Sequence, residues 1–144
     1  MLRVVVVLAT LCLFAPSALA DTAAQAAKKW GLLGTWKPDC AAPASVANGE
    51  FTYVVRGGRL FHDRDFGEHS DSNPITKAVI QKDGSILLRV DLEAIDQVRD
   101  YVFSKGADGR LRPVSNKDAK TGAHTIKDGK FLDGRETGWQ TRCH

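Results

Sequence analysis

Two cysteines near opposite ends of the chain constrain its fold more than any other feature. Cys40 lies early in the sequence and Cys143 is the residue before the last. The third cysteine, Cys12, lies in an apolar segment that we expect to be removed, so an even pair remains. In an oxidising compartment such a pair predicts a disulfide, and two buried free thiols are the alternative. A bridge between Cys40 and Cys143 would hold the two ends of the folded domain together.

Residues 1–20 have the layout of a secretory signal peptide. Met1-Leu2-Arg3 supplies a positive charge, residues 4–15 are apolar and uncharged, and Ala18-Leu19-Ala20 forms a small-x-small cleavage site. The apolar run is too short to cross a membrane as an ordinary helix. We therefore expect a cleaved signal peptide, one disulfide-closed domain at residues 21–144, and a periplasmic or secreted protein.

The charge pattern argues against two kinds of partner. The chain has 20 Lys and Arg residues and 17 Asp and Glu residues, a formal net charge of +3 at pH 7, with both signs mixed along the sequence. No basic block of the kind that nucleic-acid binding requires is present, and no second apolar run is long enough for a membrane span. We expect a monomer with no nucleic-acid partner and no membrane span.

Residues 21–30 predict a short helix, since alanine has the best helix propensity. Asp21 or Thr22 can cap its start and Gly31 can end it. One apolar face of this helix could cover an end of a barrel. A frayed leader is the alternative, because so short a helix is marginal alone. The apolar face comprises Ala23, Ala26, Ala27 and Trp30.

Beyond Leu33, alternating segments separated by turn residues predict an antiparallel sheet. The clearest alternation covers residues 86–92, where every second residue is apolar. Gly57-Gly58 predicts a two-residue hairpin turn, because glycine accepts positive φ without a Cβ clash. Together the segments predict a mainly β fold, a single small antiparallel β-barrel of about eight strands after the short helix, with a sandwich as the alternative.

Gly34-Thr35-Trp36, placed after a short helix, resembles the Gly-x-Trp start of the lipocalin, avidin and related small-barrel group. In lipocalins this Trp plugs the closed end of the barrel and packs under an Arg of the last strand. Trp36 and Arg142 match those roles by residue type and chain order, so the resemblance implies that they close the barrel. It also implies a small apolar ligand at the barrel mouth, and leaves open whether a central cavity exists.

A second resemblance covers more of the chain. Three stretches are similar to small exported proteins of Gram-negative bacteria, a group without an assigned activity, so this resemblance implies location and fold rather than function. The stretches are Leu33-Gly34-Thr35-Trp36 with Asp39-Cys40, Asp128-Gly129-Lys130-Phe131, and Trp139-Gln140-Thr141-Arg142-Cys143.

The densest polar segment lies at residues 62–73 and contains two His and four carboxylates. Its spacing fits no standard zinc motif and lacks the alternating oxygen ligands of a calcium loop, so we expect no metal or other cofactor. We interpret the segment as a solvated loop at the barrel rim. Its candidate contact residues are Asp65, Glu68, His69 and Asp71.

Tyr101 and Phe103 alternate with Val98 and Val102, so one of these pairs should face away from the core. An outward aromatic pair would form a protein-contact patch. Burial under the N-terminal helix is the alternative.

Catalysis has little support in the sequence. There is no Gly-x-Ser-x-Gly elbow, and the acidic pair Asp63 and Asp65 has the period-two spacing of a solvated strand face. We expect a non-catalytic protein-interaction or inhibitor-type module that contacts an envelope protein through residues 65–73. The alternative is a small-ligand-binding, lipocalin-like barrel. An open apolar cavity would favour the ligand binder, and a filled core with a protruding loop would favour the interaction module.

Overall fold

The computed structural model describes residues 21–144, and the predicted signal peptide at residues 1–20 lies outside the described residues. The described chain forms one helix, α1 (Ala23–Trp30), one short 3-10 helix (Glu93–Ile95) and one antiparallel sheet of ten strands. The mainly β fold is confirmed. The strands are β1 (Gly34–Lys37), β2 (Glu50–Arg56), β3 (Arg59–Asp65), β4 (Ser70–Ile80), β5 (Ile86–Leu92), β6 (Gln97–Lys105), β7 (Leu111–Asp118), β8 (His124–Lys127), β9 (Lys130–Phe131) and β10 (Thr141–Arg142).

The helix begins and ends as the sequence predicts. The Thr22 side chain accepts a hydrogen bond from the Gln25 backbone N–H at 3.2 Å, and Gln25 Oε1 accepts one from the Thr22 N–H at 2.8 Å, which is a capping box. Gly31 ends the helix in the left-handed region at φ 79°. Trp30 Nε1 donates to Gly84 O in the β4–β5 turn at 2.7 Å. The buried face of α1 therefore covers the end of the sheet at which this turn lies.

Most strands of the sheet pair with their neighbours in the sequence. Strands β1 to β9 pair in sequence order and β10 pairs with the free edge of β1, and the whole sheet curls into a half-barrel. Gly57 and Gly58, at φ 56° and 77°, connect β2 to β3 in the predicted two-residue turn. Across the open side, Leu111 of β7 exchanges two backbone hydrogen bonds with Gln140, at 3.0 and 2.7 Å. The segment before β10 therefore connects the two sides of the half-barrel.

The concave face of the sheet holds the hydrophobic core. In β5, Leu88 and Val90 are fully buried, which confirms the predicted alternation of this strand. Tyr101 and Phe103 are buried on the same face, against Tyr53 and His62 rather than under the helix. The contact-patch interpretation of the two aromatic residues is therefore wrong, because their face of β6 turns toward the core.

The two ends of the domain meet at β1 and β10. Cys40 and Cys143 form the predicted disulfide, with their Cα atoms 5.5 Å apart. The Cys143 N–H donates to Thr35 O at 2.7 Å, and the Thr35 N–H donates to His144 O at 2.9 Å. Among residues 21–144 there is no helix of the length and hydrophobicity that a membrane crossing would need.

Candidate functional site

A cavity of about 510 Å³ lies on the concave side of the half-barrel. Three parts of the chain line it: the loop at residues 38–49, the inner faces of the sheet strands, and the segment at residues 131–140. The bridge between Leu111 and Gln140 holds that last segment in place. The aromatic residues that line the cavity are Phe51, Tyr53, Phe66, Tyr101, Phe103 and Phe131.

Tyr53 and His62 form the centre of the cavity lining. They are directly opposite each other on β2 and β3, and their rings stack with centroids 4.7 Å apart and planes 6° from parallel. Both are almost fully buried, with 1% and 3% of their surface exposed. Alternation explains this placement, because His62 shares the inner face of β3 with Leu60. Tyr101 lies edge-on to His62 at 6.0 Å.

Several buried polar atoms around this stack have no hydrogen-bond partner among the described residues. They are the Tyr53 hydroxyl, both ring nitrogens of His62, and Gln140 Oε1. All three side chains line the cavity. Buried polar side-chain atoms are mostly hydrogen-bonded in folded proteins, to other groups of the chain or to ordered water, so these exceptions in one cavity are the candidate contacts for a bound water or ligand.

Burial keeps both rings of the stack uncharged. It lowers the pKa of His62 to about 3, and the nearby Arg64 guanidinium lowers this pKa further, against the opposing effect of the Asp71 and Asp63 carboxylates. Burial also raises the pKa of the Tyr53 hydroxyl far above its usual range. At neutral pH the imidazole therefore offers one N–H donor and one nitrogen acceptor, and the phenol offers a donor and an acceptor.

Only two of the described residues that line the cavity are charged, and each has a carboxylate partner. Arg64 Nε donates to Asp71 Oδ1 at 2.8 Å, and Arg64 Nη2 contacts the second oxygen of the same carboxylate. Arg135, which is exposed, pairs with Asp133 at 2.7 Å. The cavity therefore presents no uncompensated charge from these residues.

Asn116 adds a polar group beside the aromatic rings. It lies on β7, directly opposite Tyr101 of β6, and it also lines the cavity. Its Oδ1 accepts a hydrogen bond from Arg99 Nε at 2.8 Å, and the Asn116 side chain is also a hydrogen-bond partner of Tyr101 that opposes the rise in the pKa of the Tyr101 hydroxyl. Arg99 is itself buried and donates to Gln97 and Thr125 as well, which fixes the orientation of the Asn116 amide.

The structure places the four predicted contact residues around a tight hairpin rather than on a long loop. Phe66 N–H donates to His69 O at 2.8 Å, so the turn between β3 and β4 covers only residues 66–69. Asp65 ends β3 and its Oδ1 accepts a hydrogen bond from the Gly67 N–H. Asp71 belongs to β4 and pairs with Arg64, while Glu68 and His69 are exposed at the turn. A partner contact at this hairpin stays a prediction.

Trp36 and Arg142 lie together away from the cavity, and neither lines it. They are directly opposite each other on β1 and β10, and Arg142 Cζ is 6.0 Å from the Trp36 ring centroid. Trp36 is 2% exposed and its Nε1 donates to Leu32 O at 2.8 Å. The geometry brings the two residues together at the outer range of a cation–π contact.

Tyr53, His62 and Gln140 were not among the site residues predicted from the sequence. A signal for His62 was present, because it follows Leu60 by two positions and must share its inner face if that segment is a strand. Gln140 carried no such signal, since its position depends on a pairing with a strand much earlier in the chain.

Comparisons of the chain with protein-family models, with curated proteins and with solved structures found no match. Inferences about function therefore depend on the chemistry of the cavity and of the surface.

Proposed function

We propose that this protein is a non-catalytic binder of a small organic molecule, which it holds in the cavity of the half-barrel. The observation that carries the proposal is the set of unpartnered polar atoms, on Tyr53, His62 and Gln140, that share one aromatic cavity. This is the ligand-binding function that the sequence left as the alternative.

The size and lining of the cavity support the proposal. A volume of about 510 Å³ falls within the range of roughly 300–1,000 Å³ that small-molecule sites occupy. Such sites combine hydrophobic and aromatic walls with a few polar groups that orient the ligand. Here the rings of Phe51, Phe66 and Phe103 supply the walls and the Tyr53–His62 stack supplies the polar groups.

The unpartnered polar atoms also lower the stability of the protein when the cavity is empty. A buried polar atom without a partner costs about 1–3 kcal/mol of stability. Phenylalanine at position 53 would avoid this cost for the Tyr53 hydroxyl while it keeps the ring. A bound molecule that hydrogen-bonds to these atoms would recover the cost in the complex, which favours binding over an empty site.

We also propose that the protein acts as a monomer in the periplasm or outside the cell. The Cys40–Cys143 disulfide is compatible with an oxidising compartment. The export signal proposed at residues 1–20 provides the route.

Ligand binding is tested by purifying the protein under native conditions and screening neutral, anionic and cationic ring compounds by thermal unfolding. A ligand that binds only the folded state raises the midpoint as its concentration increases. Amide chemical shifts should then change around Tyr53, His62 and Tyr101 and stay constant in α1. The proposal is wrong if no compound raises the midpoint and no cavity amide shifts at millimolar concentration.

A second candidate function is the protein-contact module predicted from the sequence. The observation that favours it is that the Glu68 and His69 side chains are exposed and make no hydrogen bond or ion pair with any described residue. A photo-crosslinking residue at position 69 should capture one defined envelope protein. The same residue at Lys82, exposed in the turn at the other end of β4, is the control, and equal capture at both positions would contradict a contact at this hairpin.

A further inference from the structure

The polar atoms of the cavity narrow the chemistry of its ligand. This inference rests on the proposed ligand-binding function and concerns the same site. The Tyr53 hydroxyl and the neutral His62 ring can each donate and accept a hydrogen bond, whereas Gln140 Oε1 only accepts. A ligand that completes all of them must therefore carry at least one donor.

Charge balance argues against an ionic ligand. Arg64 and Arg135 are the charged residues among those described that line the cavity, and Asp71 and Asp133 already neutralise them. An anion or cation that entered would lose its hydration without gaining an unpaired opposite charge from a residue that lines the cavity, and such a transfer is strongly unfavourable. The cavity should therefore discriminate against charged molecules of the same shape.

The aromatic lining favours a flat ring. Tyr53 and His62 stack on each other with parallel planes, while Phe51 and Phe66, which also line the cavity, meet edge to face with centroids 5.8 Å apart. Aromatic rings prefer offset-stacked or edge-to-face neighbours, so a planar molecule can pack against the Phe51 and Phe66 rings. A branched aliphatic chain would fill the same volume without these contacts.

We propose that the cavity takes an uncharged, flat, ring-bearing molecule with at least one hydrogen-bond donor, and that Tyr53 and His62 recognise its polar group. Gln140 Oε1 lies on the same cavity and supplies a further acceptor.

Four naphthalene probes that differ in one substituent test the proposal. Two probes are uncharged: 2-naphthol has an O–H donor, and 2-methylnaphthalene has no hydrogen-bond donor. The other two are charged: 2-naphthoate is an anion, and 2-naphthylmethylammonium is a cation. Dissociation constants measured at pH 7 by titration calorimetry or ligand-observed NMR should rank 2-naphthol first. We expect it to bind about tenfold more tightly than 2-methylnaphthalene, and both ions to bind more weakly than either.

Two variants assign this preference to the named residues. Tyr53→Phe and His62→Phe keep the aromatic rings and remove the polar atoms, so each should reduce the advantage of 2-naphthol over 2-methylnaphthalene several-fold. Ser85→Ala is the matched control, since Ser85 is also a buried hydroxyl but lies in the β4–β5 turn and bonds to Gln81 and Asp83. It should leave the ranking of the probes unchanged.

The outcomes separate this inference from the function on which it rests. Equal affinity for 2-naphthol and 2-methylnaphthalene, or a preference for either ion, would overturn the ligand class and leave the cavity as a binding site. The assigned residues would be wrong if both variants kept the full preference. No binding of any probe at millimolar concentration, together with no compound found by the thermal screen, would overturn the ligand class and the binding function together.

Discussion

The stability cost of an unpartnered hydroxyl can be measured at Tyr53. Its O–H is buried and has no hydrogen-bond partner among the described residues, so Tyr53→Phe should raise the free energy of unfolding by about 1–3 kcal/mol in the ligand-free protein. Ser85→Ala removes a buried hydroxyl that makes hydrogen bonds of 2.6 Å to Gln81 and Asp83. This variant should lower the free energy of unfolding by about 1 kcal/mol. Urea denaturation of both variants checks the opposite signs. Destabilisation by Tyr53→Phe would show that the hydroxyl already has a partner in the ligand-free state.

His62 makes a second prediction at the scale of a single residue. Its folded-state pKa of about 3 lies below the ordinary value of 6.5, so between these values the unfolded chain binds a proton that the folded chain excludes. Stability therefore falls as the pH decreases from about 6.5 toward 3, by up to about 1.4 kcal/mol for each pH unit. The groups around His62 that oppose or add to this effect are Arg64, Asp63, Asp71, Tyr53 and Tyr101.

The measurement compares the free energy of unfolding at about pH 7 and pH 5 in the natural protein and in His62→Phe. The carboxylates of Asp63 and Asp71 have lowered pKa values, so their stabilising ion pairs are lost only at a lower pH than this window. We expect a loss of about 2 kcal/mol in the natural protein and a much smaller loss in the variant. The same loss in both proteins would assign the pH dependence to other groups.

At the scale of elements, the pairing of β1 with β10 explains the Gly-x-Trp motif of this chain. Gly34 has φ 128°, and a Cβ added there would lie 2.3 Å from His144 O and 2.9 Å from Arg142 Nε. Glycine is therefore required because the end of the chain packs directly on it. Trp36, two positions after Gly34 on β1, is buried and lies opposite Arg142.

A double-mutant cycle measures how strongly these strands couple through their side chains. Trp36→Ala should cost about 3–5 kcal/mol, because a buried Trp is lost from the core. With Arg142 Cζ 6.0 Å from the ring centroid and the Arg side chain exposed, the coupling between Trp36→Phe and Arg142→Ala should be about 0.5 kcal/mol. The cycle is measured in urea with the disulfide intact. Strictly additive losses would show that the Trp36 and Arg142 side chains do not couple.

The elements show which parts of the fold can be predicted from sequence. The helix and the Gly57-Gly58 hairpin were predicted because their signals, a capping residue, a terminating glycine and a glycine pair, lie within the elements they define. The face of Tyr101 and Phe103 was left open because alternation gives two faces but does not say which one is inside. Only the packing of β6 against Tyr53 and His62 decides this.

At the scale of the whole molecule, the candidate site could not be predicted from sequence, because it is made by contacts between distant parts of the chain. The aromatic residues of β2, β3 and β6 were visible as strand residues. The cavity exists because residues 131–140 cross the open side of the half-barrel and Gln140 pairs with Leu111. No local pattern encodes that pairing. The disulfide, in contrast, was predictable because only two cysteines remain after the expected cleavage.

The disulfide connects the stability of the molecule to the shape of its cavity. Cys40 lies in the loop at residues 38–49, which lines the cavity, and Cys143 follows β10, the strand that comes directly after the lining segment at residues 131–140. Chain-entropy models give on the order of 4–5 kcal/mol for a loop of about 100 residues. The double variant Cys40→Ser with Cys143→Ser should therefore unfold at a clearly lower urea concentration.

The same variant should bind 2-naphthol more weakly even under conditions in which it is folded. Without the bridge, β10 and the segment that carries Gln140 are held to β1 and β7 by a few backbone hydrogen bonds, so this wall of the cavity opens more often and the fraction of binding-competent molecules falls. Binding is measured at low temperature and without denaturant, and circular dichroism verifies that the variant is folded under these conditions. Ser85→Ala is the control, because it destabilises the protein at the other end of the sheet. An affinity that falls equally in both variants would trace the loss to general destabilisation. An affinity that falls only in the cysteine variant would show that the bridge shapes the cavity, and an unchanged affinity in the cysteine variant would show that it fixes the chain ends alone.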